Sequence, residues 1–285
     1  MKEFETNEIT EATAPQGEVS HESTLFAEPI FHIGSFTITN SLLMSWTTVF
    51  VLVVFFVAIG TRIKKVPGKL QNIFEILLDE ALKLADSITG SRKKSERLMP
   101  IVLSLFLFIL VNNWLGLLPG VGTVGFIEGE AGHQVFVPLL RGATADLNTT
   151  LAISLFAVIL SHILGVISLG VWHHFNKFVN VNTLAQIPKK IMKEPIVLVL
   201  NPIKAFVGIV ELIGEFAKVA SLSFRLFGNI FAGEVLLASM MALFAYFLPL
   251  PFMFLEVIVG IVQAMVFSIL TLAFMSMAME SHDEH

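Results

Sequence analysis

The chain carries ionisable side chains inside its most apolar stretches. Between Ile203 and Leu248 runs an apolar segment without a proline, and within it stand Glu211, Glu215, Lys218, Arg225, Asn229 and Glu234. At 100° per residue, Glu211, Glu215, Lys218, Arg225 and Asn229 fall within about 80° of one another, while Glu234 lies about 140° from Asn229 and faces another side. In the next apolar segment Glu256 and Gln263 are seven apart and so share a face. A charge at the bilayer centre costs at least roughly 2.5–3.5 kcal/mol, so such groups face a partner or a water-filled path rather than lipid. Two chemistries fit. Arg225 paired with Glu234 or Glu256 would hold helices together. Alternatively, a polar stripe entering from one end, with separate acids towards the other, would carry an ion across. The stripe favours the path.

The elements that must position these groups follow from composition. Of 285 residues, 55% are hydrophobic and only 14% charged, with a mean hydropathy of +0.79. A soluble protein carries about 25% charge, so a water-soluble enzyme is excluded. Cysteine is absent, which removes disulfides, thiolate metal sites and cysteine nucleophiles. The net charge is −5, with no basic face for nucleic acid, and no cofactor or metal is expected. The chain reads as an all-α membrane protein.

A membrane-crossing helix needs roughly 20 mostly apolar residues. Five segments meet this: about 42–60, 99–118, 147–172, 203–248 and 252–279. Residues 1–38 read as an acidic N-terminal tail, with seven Glu and one Lys in the first 30, and 39–285 as a single polytopic domain. The start has neither the basic residues nor the short apolar run of a signal peptide. Residues 70–89 are too charged to span. Ile73, Ile76, Leu77, Leu84 and Ile88 oppose Glu75, Asp79, Glu80 and Asp86, the pattern of an amphipathic helix on the membrane surface.

Lys and Arg set the orientation. The loop 61–98 holds nine and the linker 173–195 holds four, whereas 119–146 holds only Arg141. The positive-inside rule then puts 61–98, 173–195 and the C-terminus in the cytoplasm, and the N-terminus and 119–146 outside. The segment 203–248 would be about 69 Å long as one helix, more than twice the hydrocarbon thickness. It must break near Gly228–Gly233 or tilt steeply. The last segment then lies beside it as a hairpin turned at Pro249 and Pro251.

At RLFGNIFAGE (Arg225–Glu234) the chain closely resembles the signature of subunit a, the stator channel subunit of F-type ATP synthases. The resemblance covers about 35–285. It includes VPGK (Val66–Lys69), NNWLGLLP (Asn112–Pro119), TADLNTTLA (Thr144–Ala152) and the Gln263 helix ending in SMAMESHDEH, in the family's order and spacing. It implies a non-catalytic subunit beside a rotating ring of c subunits, each with a mid-membrane carboxylate. Two offset aqueous half-channels would deliver the ion from one side and release it to the other. The implied partners are the c ring, the b-subunit peripheral stalk and, through it, the soluble ATPase head, in a bacterial inner membrane.

Carried over residue by residue, Arg225 matches the family's essential arginine and Asn229 the asparagine one turn on. Glu234, Glu256 and Asp146, with Gln263 near the arginine, match the outer half-channel; Glu211 and Ser221 match the inner one, and Asn148 is a weaker match. Guanidinium stays protonated, so Arg225 would favour the deprotonated ring carboxylate and bar direct passage. Lysine would serve poorly, because its pKa falls when desolvated. Certain bacterial members have His where this chain has Glu256. Two acids there could share a proton or bind a cation, so a Na+-coupled version is the alternative to proton coupling. A self-contained transporter is the other, but the internal repeat it calls for is not found. An intramembrane hydrolase would need a zinc pair or a nucleophile with its base, and neither is present.

Several features carry less. Gly120–Gly125 spells a dinucleotide-binding pattern but follows a span, with no strand before it or helix after it, and reads as an outer loop. The adjacent His173 and His174 point to different helix faces and have no acidic partner nearby, unlike a metal site. Asn148-Thr149-Thr150 fits a glycosylation sequon at a span's start. His162, inside a span, reads either as a packing histidine or as a titrating extension of a water path. Ser154, Ser161 and Ser168, each seven apart, suggest a helix-contact stripe.

Overall fold

A computed structural model of the chain describes residues 24–61, 63–64, 68–128, 135–172, 197–244 and 247–280. The Val66–Pro67 part of VPGK, the His173–His174 pair and the linker lysines lie outside the described residues, as does the acidic stretch 1–23.

The described residues form six helices: α1 (Asn40–Gly60), α2 (Lys69–Thr89), α3 (Arg92–Gly116), α4 (Leu147–Leu169), α5 (Val197–Leu243) and α6 (Pro249–Ala278). All but α2 are long and apolar enough to cross a membrane, as expected. Helix α3 begins seven residues before its apolar run. Its first turns carry Arg92, Lys93, Lys94, Glu96 and Arg97, good helix formers that hydropathy does not count as span.

The long segment does not break. Helix α5 is continuous for 47 residues, about 70 Å, and passes through Gly228 and Gly233 without interruption. Pro249 and Pro251 do not form the turn before α6 but lie in its first turn, where their missing N–H groups cost nothing.

Helices α3, α4, α5 and α6 form the bundle, with α6 touching the other three. Leu105, Ile109, Ala157, Val158, Leu222, Leu226, Ala264 and Phe267 interlock at its centre. A second cluster, including Ala85, Leu98, Val102, Leu164, Leu272 and Met275, ties the end of α2 to α3, α4 and α6. Beyond that contact, Ile73, Ile76, Leu77 and Leu84 of α2 remain exposed, as befits a helix lying on a membrane surface. Lipid is as apolar as leucine, so polar and small side chains carry much of the specific contact between spans. Thr150 Oγ1 meets Ser223 Oγ at 3.2 Å between α4 and α5, and Ser154 and Ser161 are buried. Ser168 is exposed, so the serine stripe stops one repeat short of the expectation.

Two hairpins go beyond what hydropathy predicts. Strands β1 (Pro29–Ile33) and β2 (Phe36–Thr39) pair antiparallel, so the part of 1–38 next to α1 is ordered, turning at Gly34 with φ 64°. In the loop 119–146, β3 (Pro119–Gly122) precedes a second antiparallel pair, β4 (Gly125–Glu128) and β5 (Val135–Pro138). The Gly120–Gly125 pattern thus bounds a turn and opens a strand. Gly125 is required there, since a Cβ would overlap the Val137 carbonyl. Both hairpins sit at one end of the bundle, where Asn40 Nδ2 donates to the Pro138 carbonyl and Leu147 N–H to the Leu25 carbonyl.

Candidate functional site

Helix α5 carries its polar groups on two opposed faces, as the 100° arithmetic requires. Ser221, Arg225 and Asn229, four residues apart, are exposed on the outward face. Arg225 Nη2 donates to Ser221 Oγ at 3.4 Å and pairs with neither Glu234 nor Glu256. That removes the helix-gluing role for Arg225. Glu234 points the other way, into the bundle.

There the hairpin end holds a cavity of about 400 Å³, lined among others by Asn112, Asn113, Arg141, Thr144, Glu234 and Glu256. Arg141 is 5% exposed and grips Glu234 with Nε to Oε1 at 3.0 Å and Nη2 to Oε2 at 2.9 Å. Its remaining donors reach the Thr24 carbonyl at 2.8 Å, Thr24 Oγ1 at 3.1 Å and the Phe26 carbonyl at 3.4 Å. The segment preceding β1 is thereby tied to the cavity.

Glu256 of α6 is 8% exposed and abuts Gly233 of α5, where any Cβ would overlap its carboxyl group. Asn113 Oδ1 accepts from Thr144 Oγ1 at 2.6 Å, and its Nδ2 donates to the Gly260 carbonyl at 3.3 Å. Asn112 Oδ1 accepts from the Ala143 N–H at 3.1 Å. The two asparagines thus lock α3 onto the 3₁₀ turn Ala143–Ala145 and onto α6. Gly116 and Gly142 permit the approach, since a Cβ on Gly116 would sit 3.2 Å from the Gly142 Cα.

Ten residues before Arg225, about 15 Å along the helix, α5 carries a second cluster. Glu215 Oε2 lies 3.4 Å from His162 Nε2 of α4, and Glu215 Oε1 lies 2.8 Å from Lys218 Nζ. Lys218 also stands over the Phe274 ring at 4.9 Å. His162, which the sequence leaves ambiguous, therefore has a specific acidic partner. Glu211 is half-buried one turn further on. Gln263 is half-buried on α6.

Asp146 and Asn148 stand apart from both clusters. Asp146 is the N-cap of α4, taking the N–H groups of Asn148 and Thr149 at 3.2 Å each and Thr149 Oγ1 at 2.8 Å. It also takes the Ala27 N–H and Ser41 Oγ at 3.2 Å each, and it does not line the cavity. Asn148 is exposed. Asp146→Ala is expected to cost about 2 kcal/mol, one lost cap plus unsatisfied buried donors. The check is the thermal release of this subunit from the purified complex; an unchanged midpoint contradicts the capping role.

Sequence reasoning missed Arg141, Asn112 and Asn113 as cavity residues, and Glu215 and Lys218 as partners of His162. A signal existed for the asparagines: two consecutive amides near the end of an apolar span need partners inside the protein.

The chain matches the family described as ATP synthase A chain over residues 42–276. It is 31% identical over 256 residues to ATP synthase subunit a of Gloeobacter violaceus, covering 90% of each chain. The subunit of the same name from Desulforamulus reducens is 32% identical over 266 residues, covering 90% of this chain and 85% of the relative. That from Mycobacterium bovis is 34% identical over 224 residues, covering 77% and 78%. With its five apolar spans, its long unbroken α5 and a family match from α1 to α6, the chain belongs to the ATP synthase subunit a family and is a multi-pass membrane component of that complex.

Proposed function

We propose that the chain forms two half-channels for protons beside a rotating c ring, separated by Arg225, so that proton flow drives rotation and ATP synthesis. The observation that carries this is the separation of polar groups along α5. The Glu234–Glu256 cavity lies about 14 Å of helix beyond Arg225 towards the hairpin end, and the His162–Glu215 cluster about 15 Å before it. Among the described residues, Arg225 neither lines the cavity nor pairs with the His162–Glu215 cluster. The arginine instead faces outward at membrane depth, where a guanidinium requires a partner rather than lipid.

A ring carboxylate supplies that partner. Deprotonated, it is held opposite Arg225; on turning away it takes up a proton from one half-channel. On returning from the other side it releases that proton into the second half-channel before it faces Arg225 again. Arg225 keeps its charge throughout and so blocks a direct route. Asn229 and Ser221 flank it on the same face and hydrogen-bond with the passing site. Gln263 belongs to the outer path near the arginine. The hairpin end is the outer side and the start of α5 the cytoplasmic side, following the basic loops. The b stalk holds the subunit against the ring and links it to the soluble head.

Because the chain has no cysteine, single cysteines test this cleanly. In the assembled complex, cysteines at 221 and 228 are expected to crosslink to the c ring. A cysteine at 256 should react with a membrane-impermeant thiol reagent added outside, and one at 211 with reagent added from the cytoplasm. Labelling of both positions from the same side contradicts two separate half-channels.

A further inference from the structure

The two acids on the cavity differ in how they are held. The Arg141 guanidinium has five N–H groups, and all five have acceptors: two on Glu234, two on Thr24 and one on Phe26. With 5% of its surface exposed, Arg141 cannot turn to another acceptor without stranding a donor. Its charge is permanent. Neutralising Glu234 would leave that cation enclosed without its counter-charge, which buried ions do not tolerate.

Glu256 is in the opposite situation. Among the described residues neither of its carboxyl oxygens has a hydrogen-bond partner, and Oε1 is fully enclosed. On the same cavity Asn112, wholly buried, commits Oδ1 to Ala143 and leaves an enclosed Nδ2 that has no acceptor among the described residues. An unused acceptor and an unused donor therefore line one cavity of about 400 Å³, room for several water molecules.

We propose that Arg141 is a positioning residue that keeps Glu234 as a fixed counter-charge, and that Glu256, linked through water to Asn112, is the acid that exchanges protons in this cavity. Glu256 takes a proton from cavity water and passes it towards the ring carboxylate, returning to the carboxylate form. This rests on reading the cavity as a half-channel. It adds a division of labour: one acid sets the field and the other carries the proton. The ties from Arg141 to Thr24 and Phe26 make the segment before β1 part of the same device.

The test uses the whole complex in vesicles, with incorporation of each variant measured beside ATP-driven proton pumping. Glu256→Gln is expected to lower pumping at least about tenfold. Arg141→Gln and Glu234→Gln should each impair it by stranding one charge, and the double variant should recover to within about threefold of the unmodified complex. An assembled double variant without recovery, or normal pumping by Glu256→Gln, overturns the proposal.

Should the double variant not assemble, Glu256→His decides. Its imidazole titrates near about 6.5, so the dependence of pumping on external pH should move towards neutral, whereas Glu234→Asp should not move it. An unmoved profile in Glu256→His is fatal to the assignment. Failure of these variants while Arg225→Ala still abolishes pumping removes only this proposal; normal pumping by Arg225→Ala removes the half-channel reading itself.

Discussion

Replacing Arg225 with alanine is expected to abolish ATP-driven proton pumping in a complex that still assembles. Assembly should survive because the side chain is exposed on α5 and, among the described residues, its hydrogen bond is one of 3.4 Å to Ser221. No buried ion pair is broken, since Glu234 is satisfied by Arg141. Coupling should not survive. Holding a ring carboxylate deprotonated at membrane depth needs a permanent positive charge, and each factor of ten in that preference corresponds to about 1.4 kcal/mol. Arg225→Lys should restore little, because an ammonium loses its proton on desolvation far more readily than a guanidinium. The check is pumping per assembled complex. A lysine variant with normal pumping would mean that any cation suffices.

The second large effect lies at Gly233. Valine there must displace the Glu256 carboxyl, and overpacking a helix contact typically costs about 1–3 kcal/mol. The displacement also pushes an acid out of the cavity. Gly233→Val is therefore expected to lose most pumping and part of its incorporation into the complex. Gly214→Ala, on the same helix with nothing within 4 Å of the added carbon, should incorporate normally. Normal incorporation and pumping by Gly233→Val would show that Glu256 need not sit where α5 and α6 meet.

Much of this architecture is legible in the sequence because the bilayer imposes simple rules. Length and hydropathy locate all five spans, missing chiefly where a helix extends into polar sequence, as at Arg92–Arg97. Angular arithmetic along α5 is enough to separate Arg225 from Glu234, since helical phase survives over one unbroken helix. The same arithmetic leaves open whether the helix is unbroken, because glycine inside a helix costs only about 1 kcal/mol and neighbouring contacts decide the outcome.

The cavity is less legible. In the sequence Arg141 is a lone cation in an acidic loop, yet its partner is 93 residues away. No periodicity links a loop residue to a helix that distant. Asp146 illustrates the converse. Its position inside the motif TADLNTTLA suggests an ion path; an aspartate immediately before an apolar helix is also the standard N-cap, and in the structure it caps α4. The hairpins escape notice because a few residues of strand at a membrane edge leave no pattern that hydropathy can register.

The most direct measurement is passive proton leak in vesicles carrying the complex with Arg225→Ala, taken beside its pumping. Two half-channels that meet only across Arg225 predict that pumping disappears while leak rises above that of the unmodified complex. Normal pumping across a tight membrane would contradict the account, reducing Arg225 to an outward-facing side chain with no part in separating the two paths.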